Sequence, residues 1–499
     1  MLKILLINPP QTFYNKTQFY AEQIPLGMLF IAGVLKKENI KIDILDALRE
    51  GDAFVREGKG TRYGLSWDSI AHKVENYQPD IVGISNPYSS QVLNALETAR
   101  AVKNVNPAII TVVGGVHPTL AALDMINREP AIDICVRGEG EYAMRDIIRA
   151  YFLNGKGMNI KDIPGLVYRD KGAIFSTGDP CPIDKLDELP FPAYEILDME
   201  KYLSEDFKLR TFSAPTLRVV EMVTSRGCPF NCVFCPTKKI MGSKFRAHSA
   251  EYVLNHIEYV VSKYKVRYIR FNDDNISLDY KRFYDIADGL VKRNLNIGWS
   301  CSNGIRADTL DENLLRKMKD AGCDHIFVPA EAGNQEVLDK IVDKNLDLGR
   351  VENALKLCKK IGLRADVYFM MGLPGETLYN MKQTKMLGLK FLLKYNAKPL
   401  FFTAYPSLGS RLQEICQKEG YLKEDVDAKD FSVKTQGEAI IHTDQFTPND
   451  VTRIHNAAVR EGAALRAITL LLNKPILLFK IAFRRVAREI YNIAASIRK

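Results

Sequence analysis

The chain has 499 residues, 46% of them hydrophobic and 26% charged, with a formal net charge of +9. That hydrophobic fraction builds large cores and excludes a disordered chain, and the length corresponds to about three domains. Outside the C-terminal tail, no Arg/Lys cluster interleaved with aromatics stands out, so nucleic acid is not an expected partner. Six cysteines (Cys135, Cys181, Cys301, Cys323, Cys358, Cys416) are scattered, as buried thiols in a reducing cytoplasm would be. The start, MLKILLINPP, reads as a buried first strand rather than a signal peptide. No apolar run approaches the roughly 20 residues that span a bilayer.

Over residues 1–150 strands alternate with helices. Strands are predicted at Lys3–Asn8, Lys41–Leu45, Asp80–Ser85, Ile109–Val113 and Ile132–Val136, and helices at Leu26–Lys37 and Gln91–Val105. The alternation predicts a doubly wound parallel sheet, whose ligands lie at the carboxyl ends of its strands. That singles out the loops Asn8–Gln11, Ser85–Ser89, Gly114–Thr119 and Gly138–Glu141. Gly114-Gly115 is either a tight turn or a place where backbone approaches a ligand closely. There is no phosphate loop and no convincing dinucleotide fingerprint.

Residues 151–215 read as a linker. Gly165–Asp170 and Ala173–Thr177 form a hairpin turning at Lys171-Gly172, and the prolines at 190 and 192 make LDELPFPA an extended connector.

Residues 216–410 contain six strand-like runs: Val219–Thr224, Tyr268–Asn272, Ile297–Ser302, His325–Pro329, Ala365–Met371 and Pro399–Ala404. Six βα units fit a partial (β/α)6 barrel with its site at the strand carboxyl ends. The first loop, TSRGCPFNCVFCP, spaces Cys228, Cys232 and Cys235 as C-x3-C-x2-C. Three thiolates that close together can hold three irons of a four-iron cluster and leave the fourth open, unlike four-cysteine electron-transfer clusters. A zinc site with a distant fourth ligand is the weaker alternative, because no second C-x2-C pair exists and the nearest histidine is His248. Later loops carry Asp273, Asp274 and Asn275, then Ser302, Asn303 and Arg306, then Glu331, then Gly372 to Glu376, then Tyr405. Asp273 and Asp274 are either site carboxylates or caps of the following helix. The Leu373–Gly375 turn is either a pocket wall or purely structural.

Residues 411–499 form a helical C-terminal region that caps the barrel up to about 465. From Ala463 the chain turns apolar and basic together, interrupted at Asn473-Lys474-Pro475. Lys480, Arg484, Arg485 and Arg488 suit an anionic membrane surface. A helix packed on the protein with a solvated basic face fits equally well.

The cysteine spacing, with Phe234 before the last cysteine, resembles the cluster motif of the radical S-adenosylmethionine enzymes. The ordered set PLGMLFIAGVLKKENIKIDILDA, DIVGIS, VVGGVHPT and VRGEGE resembles the cobalamin-binding domain that precedes the cluster domain in one subfamily. LPFPAYEILD is similar to its interdomain segment, so the resemblance covers roughly residues 1–410. It implies an α/β chain with an N-terminal cobalamin-binding domain, a partial barrel and a helical C-terminal region. It implies that S-adenosylmethionine occupies the open iron, with Phe234, Asn303, Arg306, Glu331 and Gly372 around it and Glu331 on its ammonium or ribose. It places Ser85, Asn86, Tyr88, Gly114, Gly115, His117, Glu139 and Gly140 near the corrin or its nucleotide tail. The loop after the first strand, NPPQTFYNKT, lacks the D-x-H-x-x-G histidine, so cobalt is expected without a protein histidine ligand. Tyr405, Asp273 and Asp274 are candidates for further catalytic residues.

The activity this implies is methylation of an unactivated carbon, through a 5′-deoxyadenosyl radical and methylcobalamin. Oxidative cyclisation of the anaerobic porphyrin-ring-forming type is the alternative within the subfamily. A non-enzymatic cobalamin-binding sensor is the alternative outside it, and the intact cysteines weigh against that. A methylthiotransferase would usually add three cysteines in its first domain, where only Cys135 lies. The implied partners are a small-molecule, lipid or peptide substrate and an external electron donor such as flavodoxin or ferredoxin. The expected location is the cytoplasm, with peripheral membrane association if the tail binds lipid.

Overall fold

The computed structural model describes residues 1–13, 24–51, 54–57, 60–152, 159–203, 218–422 and 439–473. The first unit is built on β1 (Lys3–Asn8), β2 (Lys41–Asp46), β3 (Ile81–Ser85), β4 (Ile110–Gly114) and β5 (Ile134–Val136). These pair in parallel in the order β2-β1-β3-β4-β5. Ile4 and Leu6 of β1 face one core and Leu5 and Ile7 another, because alternate side chains leave opposite faces and both faces are covered. Helices α1 (Leu26–Leu35) and α5 (Gly140–Phe152) cover the first face. Helices α2 (Trp67–Tyr77), α3 (Val92–Val105) and α4 (Val116–Arg128) cover the second. In this order the direction of winding switches between β1 and β3, so the ligand crevice lies outside their carboxyl ends.

The hairpin read as part of the linker joins this sheet. Its strands β6 (Leu166–Asp170) and β7 (Ala173–Ser176) extend it, with β6 antiparallel to β5. β5 has only three residues, all buried, and β6 covers an edge that would otherwise be unpaired. The connector after it opens with a 3-10 turn at Leu186–Glu188, where an extended run was expected, and only from Leu189 to Ala193, across its two prolines, does it run free of helix and strand. Ala193 N donates to Leu29 O at 3.0 Å, and Phe191 stacks on His256 with centroids 4.9 Å apart.

The second unit is a six-stranded parallel sheet in sequential order: β8 (Val219–Met222), β9 (Tyr268–Phe271), β10 (Gly298–Cys301), β11 (Cys323–Glu331), β12 (Arg364–Met371) and β13 (Pro399–Thr403). The intervening helices are α6 (Ala250–Tyr264), α7 (Tyr280–Lys292), α8 (Glu312–Asp320), α9 (Leu348–Ile361) and α10 (Leu378–Tyr395). Each begins with a side-chain cap, from Ser249, Asp279, Asp311, Asp347 and Thr377 in turn. The helix after Asp273 and Asp274 is therefore capped by Asp279, and the capping alternative for those two aspartates is corrected. Helix α11 (Pro448–Asn473) packs on α10, with Lys385 paired to Glu461 at 2.8 Å. The tail cations from Lys480 onward lie outside the described residues. Among those residues, no helix is long and apolar enough to cross a membrane.

Candidate functional site

The cysteine loop leaves the end of β8, and side chains distant in sequence fasten it. Thr224 N, Thr224 Oγ1 and Ser225 Oγ donate to Asp273 Oδ1 at 3.0, 2.7 and 2.5 Å. Gly227 N donates to Asp274 Oδ2 at 3.1 Å. Arg282 of α7 donates to Thr224 O and Thr224 Oγ1 at 2.9 and 2.8 Å. Burial raises both aspartates, Asp274 to about 6. Asp273 and Asp274 thus hold the root of the loop. Beyond the root, Val233 N donates to Val342 O and Leu412 N to Val233 O.

Cys228 and Cys232 are half-buried and Cys235 is exposed. Burial pushes the Cys228 thiol up and the Cys232 thiol to about 11, with Cys235 within electrostatic reach of both. Three reduced thiols grouped this way fit a cluster that takes one cysteine per iron. Among the described residues, no three His, Cys, Asp or Glu side chains converge on a single-ion site. Phe234 is half-buried against the core.

Beside Cys232 lies a buried ion pair, Lys344 to Glu331, at 2.7 Å with side chains 6% and 9% exposed. Glu331 ends β11 in the left-handed region (φ 65°), a conformation costly for glutamate and typical of functional sites. Asp343 (φ 57°) and Asn345 (φ 50°) flank Lys344 in the same region, a conformation that short polar side chains tolerate. Lys344 was not legible as a site residue; the flanking Asp and Asn were the available signal. Arg306 stacks over Phe230 of the cysteine loop at 3.6 Å and donates to Asp308, Lys344 O and Asn345 O. Its guanidinium ties the cysteine loop to the Lys344 turn. Asn303 is exposed and donates to Asn272 O at 2.7 Å. Gly372 (φ 89°) gives its N–H to Glu376 Oε2 at 2.8 Å. Tyr405 lies half-buried after β13, four strands from Asp273.

In the first unit, Ser85, Asn86, Tyr88, Gly114, Gly115 and His117 gather at the carboxyl ends of β3 and β4. Gly115 (φ 120°) runs so close to Asn86 that a Cβ would meet Asn86 O at 2.6 Å. Asn86 is 1% exposed, and neither of its amide atoms has a partner among the described residues. Such a group carries the full cost of desolvation until something bonds it. His117 Nδ1 lies 3.0 Å from Ser89 Oγ, and burial lowers its pKa to about 4, so the ring is neutral. A cavity of about 830 Å³ opens beside it, lined by Ser89, Thr119, Leu120 and, from the second unit, Leu408. The glycine cradle, the orphaned carboxamide and this cavity fit a large cofactor with polar groups.

Glu139 and Gly140 follow β5 on a turn whose Gly138 N donates to Thr119 Oγ1 at 2.9 Å. The Glu139 carboxylate, 3% exposed, pairs with Arg246 Nη1 at 2.8 Å and Arg226 Nη1 at 3.2 Å, and accepts from Ile183 N at 2.6 Å. Arg226 reaches Glu141 at 2.6 Å. Gly140 opens α5 with Ile31 alongside. The Glu139 oxygens are taken by a buried lattice joining the two units. Arg226, two residues before Cys228, carries that lattice into the cluster loop.

The B12 binding domain model matches residues 16–148 and the Radical SAM superfamily model residues 222–386. An uncharacterized methyltransferase of Pyrococcus horikoshii is 31% identical over 414 residues, 83% of either chain. Cytidylyl-2-hydroxyethylphosphonate methyltransferase of Streptomyces wedmorensis is 28% identical, over 84% of this chain and 82% of its own. The anaerobic magnesium-protoporphyrin IX monomethyl ester cyclase of Rubrivivax gelatinosus is 30% identical over 64% of this chain and 56% of its own. The fold is shared with the methyltransferase TsrM of Kitasatospora setae, solved with cobalamin and a 4Fe-4S cluster bound. The TM-score is 0.65 at 16% identity, over 85% of this chain and 79% of that one. With both domain models in order, and a relative above 30% identity along most of both lengths, the chain belongs to the cobalamin-dependent radical S-adenosylmethionine enzymes, whose cofactors are a 4Fe-4S cluster, S-adenosylmethionine and cobalamin.

Proposed function

We propose that this enzyme is a C-methyltransferase acting on an unactivated carbon. One observation carries the reading. The two relatives named as methyltransferases align along more than four fifths of both chains, whereas the cyclase aligns along 56% of its own length. Bound together, the cofactors supply radical chemistry and a methyl donor; the chain supplies position and electrostatics. In this reading Cys228, Cys232 and Cys235 hold the cluster, and Asp273, Asp274 and Arg306 hold their loop. Phe234, Asn303, Glu331 and the Gly372 backbone surround S-adenosylmethionine. Ser85, Asn86, Tyr88, Gly114, Gly115 and His117 surround cobalamin. Tyr405, after β13, stays a candidate for a further catalytic residue. An external reductant such as flavodoxin or ferredoxin completes the system.

The test is anaerobic turnover of reconstituted enzyme with methyl-deuterated S-adenosylmethionine, a reductant and a cell extract as substrate source. Formation of 5′-deoxyadenosine together with S-adenosylhomocysteine, and a product heavier by one deuterated methyl, is the expected result. Formation of 5′-deoxyadenosine with no methyl incorporation would replace this reading with the cyclase one, and absence of both products with the sensor one.

A further inference from the structure

The outer wall of the second unit has one strongly basic stretch. Helices α9 and α10 lie side by side there, joined by Lys390 and Lys394 to Glu352 at 3.1 and 3.0 Å. Together they carry eight Lys and Arg residues and one acidic residue, Glu352. From neighbouring helices Glu461 takes Lys385 at 2.8 Å and Glu312 takes Lys360 at 2.9 Å. Three carboxylates thus engage eight cations, and the face keeps a surplus. Residues 474–499 add seven Lys and Arg against Glu489 alone. These two stretches together exceed the +9 of the whole chain, so the remainder is net acidic. Charge is concentrated here, as a surface that meets an anion requires and general solubility does not.

Large apolar side chains stand out on the same wall. Tyr379, Met386 and Leu393 of α10 are 68%, 60% and 59% exposed. Their spacing of seven residues lines them up along one side of the helix over about 21 Å. Lys382 and Lys390 are exposed between them. A single exposed apolar residue is ordinary, but three in line make a stripe. Helix α11 leads residues 474–499 away from this wall. It runs alongside α10 in the same direction: Val451 lies against Gly372, before α10, and Gly462 faces Leu389. The Arg466 charge reaches Lys398, just past α10, and the helix continues to Asn473. The basic segment therefore departs beyond the Leu393 end of the stripe.

We propose that the α10 face docks on an anionic phospholipid surface, with Tyr379, Met386 and Leu393 entering the headgroup–acyl boundary and the lysines of α9 and α10 resting on the headgroups. Lysine suits that place, because its stem packs on apolar groups while its ammonium reaches the phosphates. Charge decides among the occupants. A second copy would set lysines against lysines, and so would the basic segment 474–499 folded back on the stripe. An anionic lipid surface complements both stretches at once, and each combines apolar and basic residues as interfacial segments do. The proposal does not depend on the reaction catalysed.

Flotation of the reconstituted full chain tests it, with vesicles of phosphatidylcholine and phosphatidylglycerol in equal parts and with vesicles of phosphatidylcholine alone. The protein floats with the mixed vesicles only, and added salt releases it. Met386→Ser combined with Leu393→Ser weakens binding about tenfold through lost apolar burial. Lys356→Glu combined with Lys382→Glu weakens it by about as much. All four residues are exposed, and wild-type iron content and Tm show that each variant is folded. Undiminished flotation of both double variants would assign binding to residues 474–499 alone and overturn the proposal. Equal binding to phosphatidylcholine would overturn it too, as would a loss confined to the lysine variant, which marks charge without insertion. A concentration-dependent dimer in light scattering, abolished by Met386→Ser with Leu393→Ser, would give the stripe to a second copy instead. Capture of polyuridine as tight as vesicle capture would give the basic face to nucleic acid.

Discussion

Glu139→Gln separates a structural lattice from a cofactor contact. The wild-type carboxylate is 3% exposed and faces Arg226 and Arg246, whose side chains are 10% and 2% exposed. Glutamine keeps the shape and one acceptor oxygen but removes the charge. Arg226 then keeps Glu141 alone, and Arg246 loses the carboxylate it was paired with. Arg246 retains Ile183 O and Met241 O, so it keeps hydrogen bonds but not charge balance. Breaking a buried pair from one side costs about 3–5 kcal/mol. At about 1 kcal/mol per degree for a chain of this length, the Tm falls by about 3–5 °C. The assay is thermal unfolding of cobalamin-free and cobalamin-loaded protein, with Glu414→Gln in the exposed Lys239 pair as control. The variant loses the same amount in both forms, while the control does not move. A Tm unchanged in the cobalamin-free protein, with cobalamin affinity lowered, would refute the lattice and make Glu139 a corrin contact.

Replacing Cys228, Cys232 or Cys235 by alanine removes the cluster, read as loss of bound iron and visible absorbance; full iron content in any of the three would break the assignment. Asn86→Leu removes an unpartnered buried amide, so the cobalamin-free protein is as stable as wild type or more so, while cobalamin affinity drops about tenfold. Unchanged affinity in that variant would sever Asn86 from the cofactor. Gly115→Ala forces a side chain into φ 120° and onto Asn86 O, costing about 1–3 kcal/mol and the bound cobalamin, measured by urea midpoint and retained chromophore. Burial raises Glu376 from 4.5 to about 7. Between those values the folded carboxyl keeps a proton that the unfolded chain releases. This contribution is full below about pH 4.5 and lost as pH rises through about 7, worth roughly 3 kcal/mol. Urea midpoints at pH 5 and pH 8 therefore diverge more for wild type than for Glu376→Gln, and an identical divergence would refute the shift.

Much of the fold was legible because burial leaves a periodic trace. KILLIN, DIVGIS and IITVV are strands packed on both faces, and their near-continuous apolar runs separate them from amphipathic helices. The linker hairpin was recognisable as a hairpin but not as a sheet edge. Which strand it joins depends on how short β5 is, and pairing partners leave no mark in a single strand's pattern. The three cysteines stood out because their spacing is local, three residues on one loop.

The carboxylates of the site show the limit of such reading. Asp273 and Asp274 stood out as loop residues at a strand's carboxyl end, which is correct as a location. Their partners are Thr224, Ser225 and Gly227, more than forty residues upstream and adjacent only because β8 and β9 are neighbours. Glu139 follows the same rule at longer range, since Arg226 and Arg246 arrive from the other unit. A charged residue's position in the fold follows from its own segment, but its role depends on which opposite charge the fold brings to it. Arg226 joins both cases. Its neighbours Ser225 and Gly227 hang from the Asp273–Asp274 clasp, and its own guanidinium enters the Glu139 lattice. The loop that carries Cys228 is therefore tied through Arg226 both to the Asp273–Asp274 clasp and, by buried charges, to the first unit.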